Sequence, residues 1–481
     1  MPGVLLAQIV PDPKPECEMP IRSLRLIVSL FALPFLALAS AIAQVPLVQP
    51  TEQQVETAAA KKPDTESKPD EKPSWYSVHG QATIVSQGNG LFRSPYSGPL
   101  SLQSRVNYRT TETTTLFLAA RPWEGTEIIF NPEAAGGVGV SGSSGLAGFP
   151  NGEATRVGAP SPTPYFARVL WKQTIGLGGE QETIEDGANL IAGKRDVDRI
   201  TIRVGKMAAT DSFDENLYSH DPRTQFMNWS LMFNGAWDYP ANVRGYTYGG
   251  SIELNRKTWA FRYGLFAEPF EANGAMIDPH ILRANGHVWE LEKRYTIGEK
   301  AGKLRFLAYL NNARMGDYRA AIAAMPTHPD ITTVRDYSIK YGFGLNWEQA
   351  ITDDVGVFAR AGWNDGKTES WAFTEIDRTI SGGVLIKGTR WQRPNDTVGV
   401  AVVINGLSGP HRDYLAAGGI GFIIGDGRLN YAPEQIVELF YNLKLAPAAT
   451  LGLGFQVVNN PAYNQDRGPA ALGAVRVHYE F

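Results

Sequence analysis

The sequence predicts an all-β fold: a closed transmembrane antiparallel β-barrel of about sixteen strands, the even-numbered kind found in bacterial envelopes. Three observations predict it. Segments alternating apolar and polar residues at a period of two recur from Tyr76 to the last residue, as strands with one greasy and one wet face require. The links between them alternate between short and long. An export segment precedes them, and beyond it no stretch is apolar enough for a membrane helix.

The export segment comes first in the chain. Met19-Pro20-Ile21-Arg22-Ser23-Leu24-Arg25 is a basic region, Leu26 to Leu38 is an apolar run, and Ala41-Ile42-Ala43 is a small-x-small cleavage site. Residues 1–43 therefore read as a signal peptide, with Met19 as the expected true start. The single cysteine, Cys17, precedes that start, so the mature chain is expected to have none and to rely on no disulfide. Residues 44–75 are rich in Pro, Lys, Glu, Asp and Gln and cannot bury enough apolar surface to fold. They read as a disordered periplasmic linker, with contact between residues 44–74 and the peptidoglycan layer as the second reading.

Residues 76–481 supply the barrel. Strands are expected at 76–87, 114–121, 126–134, 164–176, 198–207, 244–255, 258–267, 286–297, 303–314, 335–348, 353–363, 370–388, 395–405, 434–445, 448–459 and 470–481. Long links fall at 88–113, 135–163, 208–243, 268–285, 315–334 and 406–433; a short turn is expected where the longer link 177–197 stands. In 335–348, Tyr337, Ile339, Tyr341, Phe343, Leu345 and Trp347 share one face, and Ser338, Lys340, Asn346 and Glu348 share the other. The closing strand, 470–481, alternates in the same way, ends on Tyr479 and Phe481, and should pair with the first.

Assigning the polar parity to the interior gives a lumen of nearly balanced sign. Arg168, Lys172, Arg203, Arg262, Arg305, Lys340, Arg360, Lys387 and Arg476 are expected to face it with Glu127, Glu133, Glu253, Glu290, Glu292, Glu348, Glu438 and Glu480. A channel dominated by one sign steers the opposite one; a balanced channel suits neutral polar solutes. The net charge of −4 gives no reason to expect a nucleic-acid partner. The link 208–243 is too apolar for a solvated loop and should pack on the inner wall and narrow the pore. There Trp229 and Trp237 offer flat apolar faces beside Asp221, Arg223 and Asp238, a combination that suits sugars.

Several stretches carry a family resemblance: His79-Gly80-Gln81-Ala82-Thr83, Phe92-Arg93-Ser94-Pro95-Tyr96-Ser97-Gly98, His220-Asp221-Pro222-Arg223-Thr224-Gln225-Phe226-Met227-Asn228-Trp229, Ala236-Trp237-Asp238-Tyr239-Pro240, Trp363-Asn364-Asp365-Gly366 and Tyr431-Ala432-Pro433-Glu434. In these the chain resembles the carbohydrate-selective porins of Gram-negative outer membranes, the OprB type. The resemblance implies a sixteen-stranded channel passing glucose-like sugars and small polar solutes by diffusion, with loops folded inward as a constriction lined by arginine with acidic and aromatic neighbours. Arg93 and Arg223 lie in the matching loop motifs, with Asp221 or Asp238 as ion-pair partner; Arg168, Arg203, Glu253 and Arg262 are further pore candidates. The Gly-rich insert 136–148 departs from the family pattern at the pore mouth. The expected partners are carbohydrates, outer-membrane lipids and, through the terminal aromatic Phe481, the outer-membrane assembly machinery.

No cofactor, metal site or catalytic residue is expected. Gly137–Gly142 matches GxGxxG outside any βαβ unit, the seven histidines are scattered, and no HExxH, CxxC, GxSxG or phosphate-binding loop occurs. The acidic run Glu180, Glu182, Glu185 and Asp186 reads as a solvated turn. The competing readings are a non-selective general porin, a structural barrel and a barrel enzyme.

Overall fold

The computed structural model describes residues 74–154 and 161–481; the expected signal peptide and nearly all of the expected linker lie outside them. The chain forms β1 (Tyr76–Asn89), β2 (Asn107–Ala120), β3 (Thr126–Gly137), β4 (Thr163–Gly176), β5 (Gln181–Ile184), β6 (Gly193–Asp196), β7 (Arg199–Met207), β8 (Thr247–Arg256) and β9 (Trp259–Ala267). It continues with β10 (Asn285–Ile297), β11 (Lys300–Gly316), β12 (Arg335–Ala350), β13 (Val355–Asn364), β14 (Arg378–Gly388), β15 (Arg393–Gly406), β16 (Glu434–Ala446), β17 (Ala449–Asn459) and β18 (Ala470–Glu480). Sixteen of these close into one barrel, while β5 and β6 pair only with each other. β18 closes on β1 in antiparallel register, Gln81 opposite Glu480 and Ile84 opposite Val477. The predicted fold and its closing pair are thus found.

The faces of the barrel are inverted relative to a soluble protein. On β12, Ile339 is 56% exposed and Lys340 fully buried; Phe343 and Leu345 face out where Asn346 and Glu348 face in. Exposed aromatics gather at both ends of the outer surface. Tyr108, Phe166, Tyr248 and Tyr341 stand at the long-loop end; Trp75, Tyr76, Trp123, Tyr479 and Phe481 stand at the short-turn end. Apolar residues between two aromatic girdles match a bilayer and its two interfaces.

The core sits inside the barrel and is made of loops. A loop there must find partners for its backbone, and the charged wall supplies them. Glu438 accepts the N–H groups of Met227 and Asn228, Glu290 that of Asp214 and Glu348 that of Leu217. Arg360 donates to the carbonyls of Asp214, Ser219 and Leu231. Asn228 caps a one-turn helix, Trp229–Met232, through the N–H of Ser230. The Gly-rich insert joins this packing: Ala147 and Gly148 donate to Glu434, and Leu146, Ala147 and Phe149 are fully buried. The contact is so close that a Cβ at wall residue Gly356 would lie 1.9 Å from the Tyr218 ring.

Two strand boundaries and one link differ most from expectation. β2 begins at Asn107, because its first half is rich in threonine (Thr110, Thr111, Thr113, Thr114) and shows no apolar alternation. β14 begins at Arg378; residues 370–377, expected as strand, form a buried loop whose N–H groups at Trp371, Ala372 and Phe373 all donate to Asp238. The link 177–197 is no plain turn but carries the β5–β6 hairpin.

Candidate functional site

Two sets of charges line the inner wall, and they differ in what they are free to do. The first is a brace. Across β8 to β12, Arg262 binds Glu253 at 2.5 Å, Glu290 at 2.7 Å and Glu292 at 3.2 Å, and Arg305 binds Glu292 at 2.8 Å and Glu348 at 3.1 Å. Directly opposed residues on neighbouring strands make this ladder, Glu253 facing Arg262 and Arg262 facing Glu290. All these side chains are buried, so Glu253 and Arg262 hold strands together rather than meet solutes. Trp237 and Asp238 are buried as well, Asp238 being used up by the three N–H groups of the 371–373 loop. Trp229 stacks on Phe373 at 5.9 Å and donates its indole N–H to the Asn151 carbonyl, so it too anchors a loop.

The second set stays partly open. Arg223, on the inward loop, donates through Nε to Glu153 at 2.9 Å and through Nη2 to Glu133 at 3.4 Å, yet its side chain remains 17% exposed. Arg168 on β4 forms a two-point pair with Asp211, Nη2 to Oδ1 at 2.5 Å and Nε to Oδ2 at 2.8 Å. Glu133 on β3 is the hub: Thr115 donates to it at 2.5 Å, Tyr246 at 3.4 Å, and Tyr165 also hydrogen-bonds it. Thr113 donates to Glu153 at 2.5 Å. The Arg244 guanidinium lies 4.0 Å over the Tyr165 ring and that of Arg168 5.4 Å over Tyr246. Burial alone would weaken the Arg223 cation, but the facing Glu153 and Glu133 carboxylates overcome it and hold its proton affinity well above the ordinary range. Arg223 is therefore charged at every working pH.

The expected residues are thus divided. Arg168 and Arg223 come together in this cluster, and Asp221 lies beside them. Its carboxylate accepts the Arg223 backbone N–H at 3.0 Å and the Thr224 hydroxyl at 2.8 Å, so the ion-pair partners of Arg223 are Glu133 and Glu153 and not Asp221 or Asp238. Arg93 is exposed on the loop after β1, where its carbonyl accepts the Gly468 N–H. Arg203 lies on β7 opposite Lys172, with Nη1 buried and without a hydrogen-bond partner among the described residues. Sequence reasoning did not select Glu153, Asp211, Arg244, Tyr165 or Tyr246 for the site. Glu133 was readable as lumen-facing from its parity; Glu153 and Asp211 sit in loops, where no periodicity marks a direction.

Among the described residues no group of acidic, histidine or cysteine side chains could hold a metal ion. A family model described as "Carbohydrate-selective porin, OprB family" matches residues 105–481. The high-pH structure of OprB from Pseudomonas putida superposes with a TM-score of 0.64 at 16% identity, covering 84% of this chain and 94% of that one. The low-pH structure of the same protein gives a TM-score of 0.45 at 12% identity, covering 84% and 92%. Pseudomonas aeruginosa OccK2 (OpdF) in complex with glucuronate gives 0.41 at 9% identity, covering 84% and 98%. No curated protein sequence matches the chain.

Proposed function

The chain belongs to the carbohydrate-selective porin, OprB family, and from that premise we propose that its sugars pass the Glu133–Arg223 cluster on their way through the barrel. It is an outer-membrane channel of a Gram-negative bacterium and not an enzyme. Short turns of such barrels face the periplasm and long loops the outside. The observation that carries the reading is the state of Arg223: fully charged, fixed by two carboxylates, and still partly open. Arg168, Arg223 and Arg244 stand against Glu133, Glu153, Asp211 and Asp221, so the cluster has no large excess of either sign. A neutral polyol finds donors and acceptors there, and the half-buried Tyr165 ring offers a face to its C–H groups. Glucose-like sugars fit this set better than ions of either sign. Arg93 serves at the outer mouth in this reading, and Arg203 lines the path below the cluster.

The other expected partners enter here as proposals. The outward apolar band contacts outer-membrane lipid, Phe481 presents the assembly signal, and residues 44–75 form a periplasmic linker, with the peptidoglycan layer as the contact open to it. The signal peptide is removed during export.

The test is a planar-bilayer recording with added glucose. Glucose should block the open-channel current, and Arg223→Ala should weaken the block by roughly tenfold, the equivalent of one lost charge-assisted hydrogen bond. A block of unchanged strength in Arg223→Ala and in Arg168→Ala would remove the cluster from the sugar path.

A further inference from the structure

The β5–β6 hairpin interrupts an otherwise regular end of the barrel. β8 and β9 are joined there by Lys257 and Thr258 alone, with Arg256 already opposite Trp259. Between Gly176 and Arg199, by contrast, the chain leaves the wall, makes the hairpin and returns.

The hairpin folds into the lumen. Its tip binds residues whose parity on β1 and β3 is inward. Asn131 donates to the Asn189 side chain at 2.8 Å, His79 Nε2 lies 3.0 Å from Asp186, and Ser77 donates to the Gly187 carbonyl at 3.3 Å. Arg121 donates to the carbonyls of Ile191 at 3.0 Å and Ala192 at 3.2 Å. Asn131 is fully buried and Ser77 nearly so.

An apolar row explains why it docks there. Ala119 on β2 stands opposite Ile129 on β3, and Ile129 opposite Leu170 on β4. All three face inward, and all three are buried in the same apolar cluster as Ile191 of the hairpin, itself 1% exposed. An inward apolar row would be a fault in an open channel; covered by Ile191 it is a dock.

The hairpin is braced at its base. Glu182 pairs with Arg195 at 2.7 Å and Arg199 at 2.9 Å, Asp196 accepts the Gly178 N–H at 2.7 Å, and Lys257 pairs with Glu180 at 2.9 Å. The acidic run that reads as a solvated turn therefore belongs to a built element. Near its tip Glu185, Asp186, Ala188 and Leu190 are exposed.

We propose that this hairpin is a second constriction, which narrows the periplasmic mouth and sets a size limit on saccharides independently of the Arg223 cluster. The proposal rests on the chain being a sugar channel, which the parent protein's glucose block tests on its own. Replacing residues 177–198 with Asn-Gly joins β4 to β7 by a two-residue turn. Single-channel conductance should rise roughly twofold or more, as expected when a narrow segment in series is removed. Liposomes carrying the variant should admit oligosaccharides that the parent excludes, while glucose block, set at the other constriction, persists. Unchanged conductance and size limit in channels that insert would overturn the proposal. Since the deletion bares Ala119, Ile129 and Leu170, a second variant guards against misfolding. In a Cys17→Ser background, a bulky maleimide on Glu185→Cys should lower the conductance at least twofold, and the same label on Asp353→Cys, on the β12–β13 turn, should not. Equal conductance before and after labelling Glu185→Cys would also overturn it.

Discussion

Glu268 shows how a single residue can be held against its own chemistry. It follows β9, is fully buried, and neither carboxyl oxygen has a hydrogen-bond partner among the described residues. Burial, and then the nearby Asp238 charge, push its pKa well above the ordinary 4.5. The Asn311 side-chain oxygen also lacks a partner, and it and a Glu268 oxygen lie 2.8 Å and 3.0 Å from the point a Cβ on Gly286 would occupy. Burial without a partner favours the protonated carboxyl, and the Asn311 oxygen is an acceptor in the same neighbourhood. A folded-state pKa above the unfolded one favours folding most below about 4.5, and that contribution is lost as pH rises towards the folded value. Thermal unfolding of the detergent-solubilised barrel should therefore shift to lower temperature between about pH 5 and pH 8. Glu268→Gln, which always donates, should flatten that slope and be the more stable protein at the upper end; an identical slope in the variant would show that another group sets it. Site residues were legible in the sequence to a similar, uneven degree. Arg223 lies in a motif and Glu133 on a strand of known parity, so both could be placed on the lumen side. That they meet, with Glu153 as third member, depends on two loops entering the barrel together, and no local pattern encodes that meeting.

At the scale of elements, the inward loops are held by carboxylates that each serve several backbone N–H groups. Asp238 is the densest case, taking those of Trp371, Ala372 and Phe373 at 2.6 Å, 2.7 Å and 3.1 Å with Lys340 3.6 Å away. Asp238→Ala leaves three buried donors without their acceptor, at roughly 1–3 kcal/mol for each, and takes the counter-ion from Lys340, which keeps the Ser370 hydroxyl. The 365–377 loop should then leave its seat. Limited proteolysis should cut that loop in the variant and spare it in the parent, with the unfolding temperature several degrees lower; full protection would show that the stack of Phe373 on Trp229 suffices. Asp238→Asn, which keeps one acceptor oxygen, should fall between the two. The same loop marks where element-level reading failed. Trp371-Ala372-Phe373 alternates as a strand does, and partners about a hundred residues or more earlier, Asp238 and Asn273, make it a loop. β12 and β18 were legible because a bilayer on one side and a charged lumen on the other impose a strict period of two. β2 was half legible because threonine suits either face.

For the whole molecule the decisive step is closure, since an open sheet cannot leave its edge strands unpaired in lipid. Closure ends on Phe481. Its N–H donates to the Gly80 carbonyl at 3.0 Å, the Gly80 N–H returns a bond to its carbonyl at 3.1 Å, and His79 Nδ1 lies 3.0 Å from the same oxygen. The ring covers Gly80 so closely that a Cβ there would lie 2.6 Å from it, and it sits 6.2 Å from the Tyr479 ring in the girdle at the short-turn end. Two roles follow, and deletion separates them. As the last link of the ladder, Phe481 contributes a single pair of bonds to a β1–β18 register that runs on from Gln81 to Asn89 without it. The barrel that forms should have the parent's pore, because the cluster at Glu133 lies elsewhere and the hairpin, linked to Phe481 only through His79, keeps its contacts with Ser77, Asn131 and Arg121. In the assembly-signal role proposed above, its ring, 64% exposed, is what another protein would bind. Deleting Phe481 should therefore reduce the amount of barrel recovered in the outer membrane, while copies that do insert conduct as the parent does. Gly80→Val tests the ladder role alone: it displaces the ring but keeps the terminal residue. If it lowers insertion as much as the deletion, Phe481 acts by closing the sheet; if insertion stays near the parent's, its role is recognition.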